Sequence, residues 1–546
     1  MTITPSQAGS QALQRRNSLM LVRNVLVPIA FIVLGLGIAV YTGVITVQWQ
    51  PGHSADSYQA LDLAAVSLPI EQPEVELHTQ LSGAQPLPEQ SEQVVTMRRL
   101  FFFGDFNELE AMLSAQRAEA HASTGSIRYN PFVFSLRETN LAGIDRCAEW
   151  LQELPDSYLA HWVCGSIWNS GAWDVRSNRR LNRVSHAQMT LMRERMITSN
   201  RLLERALELD PQPVEAMTQL GANHAALGTG FGEHFYALAE SIAPRYLSIH
   251  RARANFAQPQ WGGSEGDVRQ VITYARSLGI DEYDLQNLED EFFHRPRRLS
   301  APGATRAYWE QAVNSHPTRQ RMMGLLDDHG ELRRWNETAR YAQEVLAVYP
   351  EDAKAWFWLG RAHSMIGNMD DARAAMLQSA AMGYEAAIQD LLMALIRGGF
   401  GIDESYTGPG VLELCHYSAA IGSAVGANCL GGGYHEGGQH GSPFTRNPGQ
   451  SNAWHLFAAR AGHYNSQHDL GWMLYSRRVP DVDRDQAGDV GIYWLRRAAE
   501  KDHRFAARRL DEMNISRAEP VVGGHSPNWL QTQLYRARTY LAQWKG

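Results

Sequence analysis

The sequence predicts an all-α protein in which an N-terminal transmembrane helix is followed by an α-solenoid of helix-turn-helix repeats. Three observations support this fold class: an uncharged apolar stretch near the N-terminus, helical periodicity with almost no strand-type alternation from Val95 onward, and a small-residue pattern that returns every 39 or 40 residues in the last third. The predicted segments are a cytoplasmic tail (1–24), a transmembrane anchor (25–47), a Pro-rich linker (48–95), a helical domain of unknown function (96–320), the repeat solenoid (321–520) and a C-terminal helix (521–546).

The predicted anchor, residues 25–47, contains no Asp, Glu, Lys or Arg. At a rise of ~1.5 Å per residue, a helix of this length spans about 34 Å, which is enough to cross a hydrocarbon core of about 30 Å. A cleaved signal peptide and a buried core helix are the alternatives. A signal peptide would normally have a shorter apolar core, of about 7–15 residues, followed by a cleavage site of small residues that this sequence lacks.

Charges on the two sides of this stretch predict its orientation. Arg15, Arg16 and Arg23 precede it, whereas no Lys or Arg follows it before Arg98. Cations on a short tail hold that tail in the cytoplasm. We therefore expect a single-pass protein of the bacterial inner membrane that contacts the lipid bilayer through residues 25–47 and has its C-terminal body in the periplasm.

The linker and the overall charge narrow the class of partner. Residues 48–95 contain five prolines and no lasting periodicity, which predicts an extended and mobile tether. The net charge of −8 and the sequence pI of about 6.2 argue against a nucleic-acid partner, because phosphate binding needs clustered cations.

The repeat pattern is carried by the turns at Gly383, Gly422, Gly462 and Asp502, which are 39, 40 and 40 residues apart. Small residues precede each turn and an apolar helix follows it. Each unit is therefore predicted to be a pair of helices joined by a tight turn. Because one such pair cannot bury its own apolar face, neighbouring pairs are expected to stack.

The repeats also resemble known families. The string Ala458–His463 leading to Leu470–Tyr475, with its recurrence at 493–499, resembles Sel-one-like repeats, whereas Trp335–Met382 resembles a tetratricopeptide unit. Together these resemblances cover about 335–515. They imply a helical scaffold for protein partners and specify no activity.

A second resemblance covers part of the preceding region. The order Trp162…Gly165, Arg201…Pro211, Pro244–Tyr246 and Pro259–Ser264 resembles a bacterial domain family of unknown function that is often found with such repeats. This sequence departs from the family pattern at Cys164, where an Arg is expected. The resemblance implies a fold and no established activity.

The four cysteines form two candidate disulfides. Cys147 and Cys164 are 17 residues apart, Cys415 and Cys429 are 14 apart, and each pair spans one predicted helical hairpin. A periplasmic location permits disulfides. Four buried thiols are the alternative, and neither spacing fits a zinc site.

Two motifs that suggest catalysis have structural interpretations. In the string from His435 to His440 the two histidines are at i and i+5, so on a helix they point about 140° apart and cannot bind one zinc ion from a single face. Residues 262–266 spell G-x-S-x-G, but no strand precedes them, which favours Ser264 as the cap of a helix starting near Asp267. Six histidines between 416 and 468 leave a metal-assisted hydrolase as an alternative: His416, His435, His440, His455, His463 and His468. His463 shares its repeat position with His503, which favours a structural role for both.

We therefore expect a non-catalytic protein-protein interaction module without a cofactor. Large aromatic side chains are frequent anchors in protein interfaces. The candidate anchors within the repeats are Trp356, Trp358, Trp454, Trp472 and Trp494. By analogy, an immunity protein that captures a secreted antibacterial toxin is a specific form of this function.

Overall fold

The computed structural model describes residues 68, 70, 73–122, 133, 135–136, 140–177, 184–293, 304–402, 406–437, 443–479, 482 and 484–515. These residues form 22 α-helices and one short 3-10 helix, and no strand occurs among them. The all-α prediction is therefore confirmed for the described part of the chain. The predicted anchor (25–47) and the predicted C-terminal helix (521–546) lie outside it. Within the described residues, no helix is long and apolar enough to cross a bilayer.

The N-terminal half, residues 89–293, contains ten helices. They are α1 (Glu89–Phe103), α2 (Phe106–Ala122), α3 (Ile144–Glu153), α4 (Tyr158–Arg176), α5 (His186–Leu209), α6 (Val214–Leu227), α7 (Gly232–Ile242), α8 (Leu247–Phe256), α9 (Glu265–Ser277) and α10 (Glu282–Phe293). The 3-10 helix Pro259–Trp261 separates α8 from α9.

The repeat half, residues 304–512, contains twelve helices. They are α11 (Ala304–Ser315), α12 (Arg319–Glu331), α13 (Trp335–Val348), α14 (Ala353–Ile366), α15 (Met369–Ala381), α16 (Glu385–Arg397), α17 (Val411–Ala420), α18 (Ala424–Glu436), α19 (Pro448–Arg460), α20 (Tyr464–Tyr475), α21 (Arg484–Glu500) and α22 (Arg504–Glu512). Each helix from α15 to α21 packs against the next one in the chain, including across the longer loops, as stacked helix pairs require.

The predicted repeat turns end the first helix of each pair. Gly383, Gly422 and Gly462 have φ of 85°, 81° and 87°, and Asp502 has φ of 62°, all in the left-handed region that glycine adopts most easily. The next helix begins two residues later, and its N-cap side chain accepts a backbone N–H in three of the units. His463 Nδ1 accepts from Ser466 and His503 Nδ1 accepts from Ala506, which agrees with the structural role predicted for these equivalent histidines.

A buried ionic cluster joins three helices of the N-terminal half. The Arg117 side chain of α2 donates to Glu215 Oε1 of α6 over 3.0 Å, and the Tyr158 hydroxyl of α4 donates to Glu215 Oε2 over 2.7 Å. Burial alone would raise the pKa of Glu215, but hydrogen bonds from His121, Arg117 and Tyr158 outweigh it and lower the pKa to about 2. The charge of Glu215 therefore stabilises the packing of α2, α4 and α6 at neutral pH.

Residues of the N-terminal half also cover the turns of the repeat half. The Phe102 ring of α1 lies against Gly422, where an added Cβ would come within 2.1 Å of it. Arg460 Nη1 donates to Asp145 Oδ2 over 2.5 Å, and Arg497 Nη2 donates to Asp174 Oδ2 over 2.6 Å. The two halves therefore share one packed edge instead of lying as separate bodies along the chain.

The predicted boundaries need two corrections. Helix α1 begins at Glu89, so the N-terminal helical half starts inside the predicted linker (48–95) and before the predicted boundary at 96. Residues 73–88 form no helix, but they lie on the repeat half instead of forming a free tether. Proline prevents regular secondary structure here, whereas it leaves the other backbone N–H groups free to bind side chains.

Candidate partner-binding groove

An extended stretch of the chain is bound across the first helices of consecutive repeats. We call Leu68, Ile70 and residues 73–88 the docked segment, and we call the surface of α15, α17 and α19 that holds it the groove. The segment runs from α19, through α17, to α15, that is, against the order of the helices in the sequence. This geometry is the one in which helical repeats can hold an extended polypeptide.

Side chains of the groove bind the backbone of the docked segment at alternate residues. Glu74 N–H donates to Gln450 Oε1 of α19 over 2.7 Å, and Glu76 N–H donates to His416 Nδ1 of α17 over 3.0 Å. In an extended chain, residues i and i+2 point their N–H groups to the same side. The groove therefore recognises the conformation of the segment at these two positions and not its side chains.

Two further polar contacts continue this pattern toward α1. Ser82 N–H donates to Glu413 Oε1 of α17 over 2.8 Å, and Arg99 Nη1 of α1 donates to the Thr79 carbonyl over 3.2 Å. Backbone N–H and C=O groups of the segment thus find side-chain partners on α17 and on α1, without pairing with a strand. Buried or half-buried backbone groups need such partners.

Apolar side chains anchor the segment at several positions. Leu81 is fully buried in the main core, and Leu68 belongs to the apolar cluster formed by α19, α20 and α21. Between them, Leu77 is 49% exposed. Four other apolar side chains of the segment are partly buried against these two cores: Ile70, Val75, Ala84 and Leu87. The segment is therefore held by apolar packing along its length as well as by backbone hydrogen bonds.

His416 binds the segment as a neutral imidazole. Burial lowers the pKa of His416, while Glu76 acts in the opposite direction. Nδ1 must be unprotonated to accept the Glu76 N–H, which leaves the proton on Nε2, 3.5 Å from the Tyr434 hydroxyl. The protonation state that burial favours is thus the state that the hydrogen bond requires.

A cleft lies beside the N-terminal end of the docked segment. It is small, with a cavity volume of about 30 Å³, is partly open to solvent, and is bounded by Ile70 and Pro73 on one side and by Phe102, Phe103 and Phe457 on the other. Arg460 and Asp145, which bind each other, lie at its edge. The docked segment therefore leaves room for little more than water at this point of the groove.

The five tryptophans proposed as partner anchors lie in three kinds of surroundings. Trp454 and Trp494 are buried, at 0% and 3% exposure, so they belong to the core and are not exposed anchors. Trp356 and Trp358 are partly buried, and their Nε1 groups donate to the Pro350 carbonyl and to Asp327 Oδ1. Trp472 is partly buried beneath the Arg509 guanidinium, whose centre is 4.0 Å from the ring. None of the five makes one of the hydrogen bonds that hold the segment, but Trp494 belongs to the apolar cluster that includes Leu68.

Both candidate disulfides are present in the structure. Cys415 of α17 is joined to Cys429 of α18, and Cys147 of α3 is joined to Cys164 of α4. Each therefore connects the two helices of one hairpin, as the spacing suggested. The Cys415–Cys429 bridge lies in the helix pair that contributes Glu413 and His416 to the groove.

The motifs that suggested catalysis have structural roles where they are described. Ser264 Oγ accepts the Asp267 N–H as the N-cap of α9, which confirms the predicted cap. His455 is buried in α19, His468 contacts Asp469, and His435 is exposed. Among the described residues no group of three or more His, Cys, Asp or Glu side chains could hold a metal ion, and His440 lies outside them.

Sequence reasoning missed the groove residues, although one signal was visible. Large apolar residues recur within a Pro-rich segment that contains no Lys or Arg: Leu68, Ile70, Val75, Leu77, Leu81 and Leu87. Their recurrence in an otherwise polar stretch indicates that the stretch packs against another surface. Gln378 of α15 also binds the segment, since its Nε2 donates to the Pro86 carbonyl over 3.4 Å. Like Glu413 and Gln450, it carried no comparable signal, because single polar residues on a helix are usually exposed to solvent.

Comparison with known proteins agrees with the sequence interpretation of the N-terminal half. Residues 93–231 match the family described as a domain of unknown function (DUF4034). The Pro259–Ser264 string lies beyond this match. No curated protein matches the chain in sequence.

Two solved structures are similar to the chain at low sequence identity. A Sel1 repeat protein from Oxalobacter formigenes is 16% identical, with 70% of this chain and 93% of that chain covered and a TM-score of 0.32. The protein c5321, a protective antigen present in uropathogenic Escherichia coli strains displaying an SLR fold, is 15% identical, with 82% and 91% covered and a TM-score of 0.32.

Proposed function

We propose that this protein is a non-catalytic interaction module that binds the extended segment of a protein partner at the groove. We further propose that residues 25–47 anchor it in the bacterial inner membrane, with the helical body in the periplasm. The observation that carries the binding function is the capture of the Glu74 and Glu76 N–H groups by Gln450 and His416.

Backbone recognition supports a protein ligand over a small molecule. Two N–H groups from alternate residues satisfy side chains on two different helices, which requires a ligand with the periodic amides of an extended polypeptide. The groove also provides apolar sites for side chains of the segment, where Leu68 and Leu81 are buried. Backbone contacts supply much of the affinity in such complexes, and side-chain pockets supply the specificity.

Affinity capture with the full chain tests the binding function. The tagged protein is purified from its own host after mild crosslinking, in parallel with the double variant Gln450→Ala, His416→Ala and the control Asn287→Ala. Asn287 is a partly exposed residue of α10 whose side chain donates to the Tyr283 carbonyl within its own helix. We expect one dominant partner with the wild type and the control, and its loss from the double variant. Capture that does not depend on the two groove residues would contradict the proposal.

The identity of the captured protein would also narrow the function. A secreted antibacterial toxin would support the immunity role, whereas an envelope assembly component would support a scaffold role. Both are protein partners, so the capture experiment separates them without a change of design.

The location rests on the distribution of cations around residues 25–47, with three arginines before the stretch and none after it until Arg98. Alkaline phosphatase and green fluorescent protein fused after Gly546 test it. We expect phosphatase activity and no fluorescence, because the first requires export and the second requires folding in the cytoplasm. A fluorescent fusion without phosphatase activity would contradict the proposed topology.

A further inference from the structure

We infer that residues 527–544 form an amphipathic helix that binds an exposed aromatic stripe on α20. The aromatic stripe consists of four ring side chains on one face of that helix: Tyr464, His468, Trp472 and Tyr475. It lies on the second helix of a repeat, whereas the groove is formed by first helices, so this inference is independent of the proposed function. It follows from the exposure of the stripe, the outer surface of α22, and the sequence after Ile515.

The aromatic stripe forms one exposed surface with a ring of α22. Its members are spaced by four, four and three residues, which places them on one face of α20. Tyr464 is 46% exposed, and the rings of Trp472 and Tyr475 stack with their centres 6.0 Å apart. Phe505 of α22 is 65% exposed, and its ring centre lies 6.4 Å from that of His468. A contiguous set of this kind, unlike single exposed apolar residues, indicates an interaction site.

The repeat fold does not require rings at these positions. Neighbouring second helices are offset by 40 residues, as are the turns at Gly422, Gly462 and Asp502. The equivalent residues are Ala424, Asn428, Gly432 and His435 in α18, and Arg504, Arg508, Glu512 and Ile515 in α22. Both helices pack against their neighbours with these residues. The rings of α20 therefore indicate a contact outside the stack of repeats.

Helix α22 does not offer the surface on which a further first helix would stack. In α20, a Cβ added to Gly471 would come within 2.9 Å of the Gly491 carbonyl oxygen of α21, and Leu474 is fully buried in the cluster that includes α21. Forty residues later the same positions are Asp511 and Asn514, and both are exposed. Terminal repeats carry such a polar outer face. An apolar helix that follows α22 therefore needs another surface.

Residues 527–544 have the sequence pattern of such a helix. Ser526 and Pro527 are typical of an N-cap and of the first helical position. Apolar residues then recur at intervals of four, three, four and three: Leu530, Leu534, Ala537, Leu541 and Trp544. Isolated helices of about 12–15 residues are marginal in water even when they are rich in alanine. The apolar face of this helix therefore needs a surface that covers it.

The aromatic stripe lies within reach of this helix. Residues 516–526 connect it to Ile515 at the end of α22, and they can span up to about 37 Å at ~3.4 Å per residue. Helix α22 has nine residues, so the connection easily returns past Phe505 in its first turn. A helix of residues 527–544 is about 27 Å long, whereas α20, with 12 residues, is about 18 Å long. The helix is thus long enough to cover the stripe and Phe505 together.

Photo-crosslinking in the full chain tests where the helix binds. p-Benzoylphenylalanine is placed at Phe505 and, in a control chain, at Ile396, which is 63% exposed on α16. Mass spectrometry after irradiation and digestion identifies the crosslinked peptides. We expect position 505 to crosslink to residues 527–546 of the same chain and position 396 not to do so. Mixing unlabelled and isotope-labelled chains distinguishes crosslinks within one chain from those between two copies.

Hydrogen exchange of the full chain tests what holds the helix. We expect deuterium uptake within 527–544 to be at least about tenfold slower than in a synthetic peptide of these residues, because a helix without a covering surface opens readily. Phe505→Asp should abolish this protection, whereas the control Ile396→Asp should leave it unchanged. Circular dichroism melts establish that both chains keep the helical fold.

A matched pair of variants tests the apolar face of the helix. Leu541 belongs to that face, whereas Thr539 lies on the opposite face. Leu541→Asp should abolish the protection of 527–544. Thr539→Asp introduces the same charge and the same helix propensity two residues away, and it should change deuterium uptake by less than about twofold.

Several results would overturn the inference. These are wild-type uptake as fast as that of the free peptide, protection that survives Phe505→Asp in a folded chain, and equal effects of Leu541→Asp and Thr539→Asp. Crosslinks only between two copies would assign the helix to an oligomer, and protection that requires vesicles of anionic phospholipid would assign it to a bilayer surface; both would overturn it. If Phe505→Asp does not fold, the crosslink from position 505 decides.

Discussion

Two turns of the repeat half have the same local chemistry and different surroundings. Gly367, between α14 and α15, has φ of 94°, and a Cβ added there would meet nothing within 4 Å. Gly422, between α17 and α18, has φ of 81°, but its added Cβ would overlap the Phe102 ring of α1. The first turn is open, whereas the second is covered by the N-terminal half. A turn motif therefore predicts the turn and not what packs against it.

The covered edge has consequences for the groove. The polar contacts that fasten the N-terminal half to α19 and α21, through Asp145 and Asp174, lie on the edge next to the helices that hold the docked segment. The phenylalanines of α1 that cover Gly422 also form one wall of the cleft beside Ile70. Packing of the two halves and binding at the groove thus depend on the same elements.

The largest effect should come from removing the carboxylate that fastens α21. Burial alone would raise the pKa of Asp174, but Arg497 and Lys501 outweigh it and lower the pKa, so Asp174 is charged at neutral pH. Asp174→Ala leaves the buried Arg497 without this partner, and we expect a loss of about 3 kcal/mol in the free energy of unfolding. Urea denaturation followed by circular dichroism measures it.

The control for Asp174→Ala is Glu208→Ala, which removes an exposed ion pair with Arg205 within α5. Its expected effect is below about 0.5 kcal/mol. Similar losses from both variants would contradict the claim that the covered edge joins the two halves.

The next effect distinguishes the helix pair α17–α18 from the pair α13–α14, which has no cysteine. Replacing Cys415 and Cys429 by serine removes a crosslink across 14 residues, and we expect a loss of about 3 kcal/mol at most. Hydrogen exchange should accelerate in α17 and α18 and remain unchanged in 335–366. Uniform acceleration across all the repeats would show that they unfold as one unit. It would contradict the expected difference between α17–α18 and α13–α14.

Glycine substitutions test the comparison of the two turns itself. Gly367→Ala adds only the strain of a left-handed alanine, about 1 kcal/mol. Gly422→Ala adds the same strain and must also displace the Phe102 ring, which costs about 2 kcal/mol more. Thermal melts of both variants measure the difference, and equal melting temperatures would show that the covered turn is not tightly packed.

Mild acid should destabilise the protein near the covered turn at Gly462, by an amount that grows as the pH falls below the usual histidine pKa. Burial lowers the pKa of His455 and of His463 to about 4, below the usual 6.5. The unfolded chain therefore takes up protons first as the pH falls, so the free energy of unfolding decreases between pH 6.5 and about 4. Each histidine contributes a decrease of up to about 1.4 kcal/mol per pH unit. The effect is absent above pH 6.5.

His463→Asn is the matched variant for the pH measurement, because asparagine can still accept the N–H group that His463 caps. Urea denaturation at pH 7 and pH 5 should show a smaller loss of stability in this variant than in the wild type. The same pH dependence in both chains would assign the acid sensitivity to other groups.

The sequence contained enough information for the local structure and too little for the long-range packing. Repeat spacing predicted the turns at Gly383, Gly422 and Gly462, and helix caps such as Ser264 follow from chemistry within a few residues. Contacts between Asp174 and Arg497 join residues more than 300 positions apart, and no local pattern encodes them. For the same reason the sequence predicted a free linker, since the linker's partners on α17 and α19 also lie more than 300 positions away along the chain.

Tryptophan positions show the same limit within the repeats. Trp454 and Trp472 both lie on repeat helices, yet the first is fully buried and the second only partly buried. Whether a helix face contacts a neighbour or solvent depends on what the N-terminal half covers. Of the groove residues, Glu413 and Gln450 are polar side chains that no local pattern singles out, and His416 was selected only as one of six clustered histidines.

Hydrogen exchange at the amides of Glu74, Glu76 and Ser82, measured with residue resolution in the full chain, is the most direct test of the occupied groove. We predict that all three exchange slowly in the wild type and much faster after Leu81→Asp, when the segment leaves Gln450, His416 and Glu413. Exchange at the rate of an unfolded chain in the wild type, with no change on Leu81→Asp, would contradict the central claim.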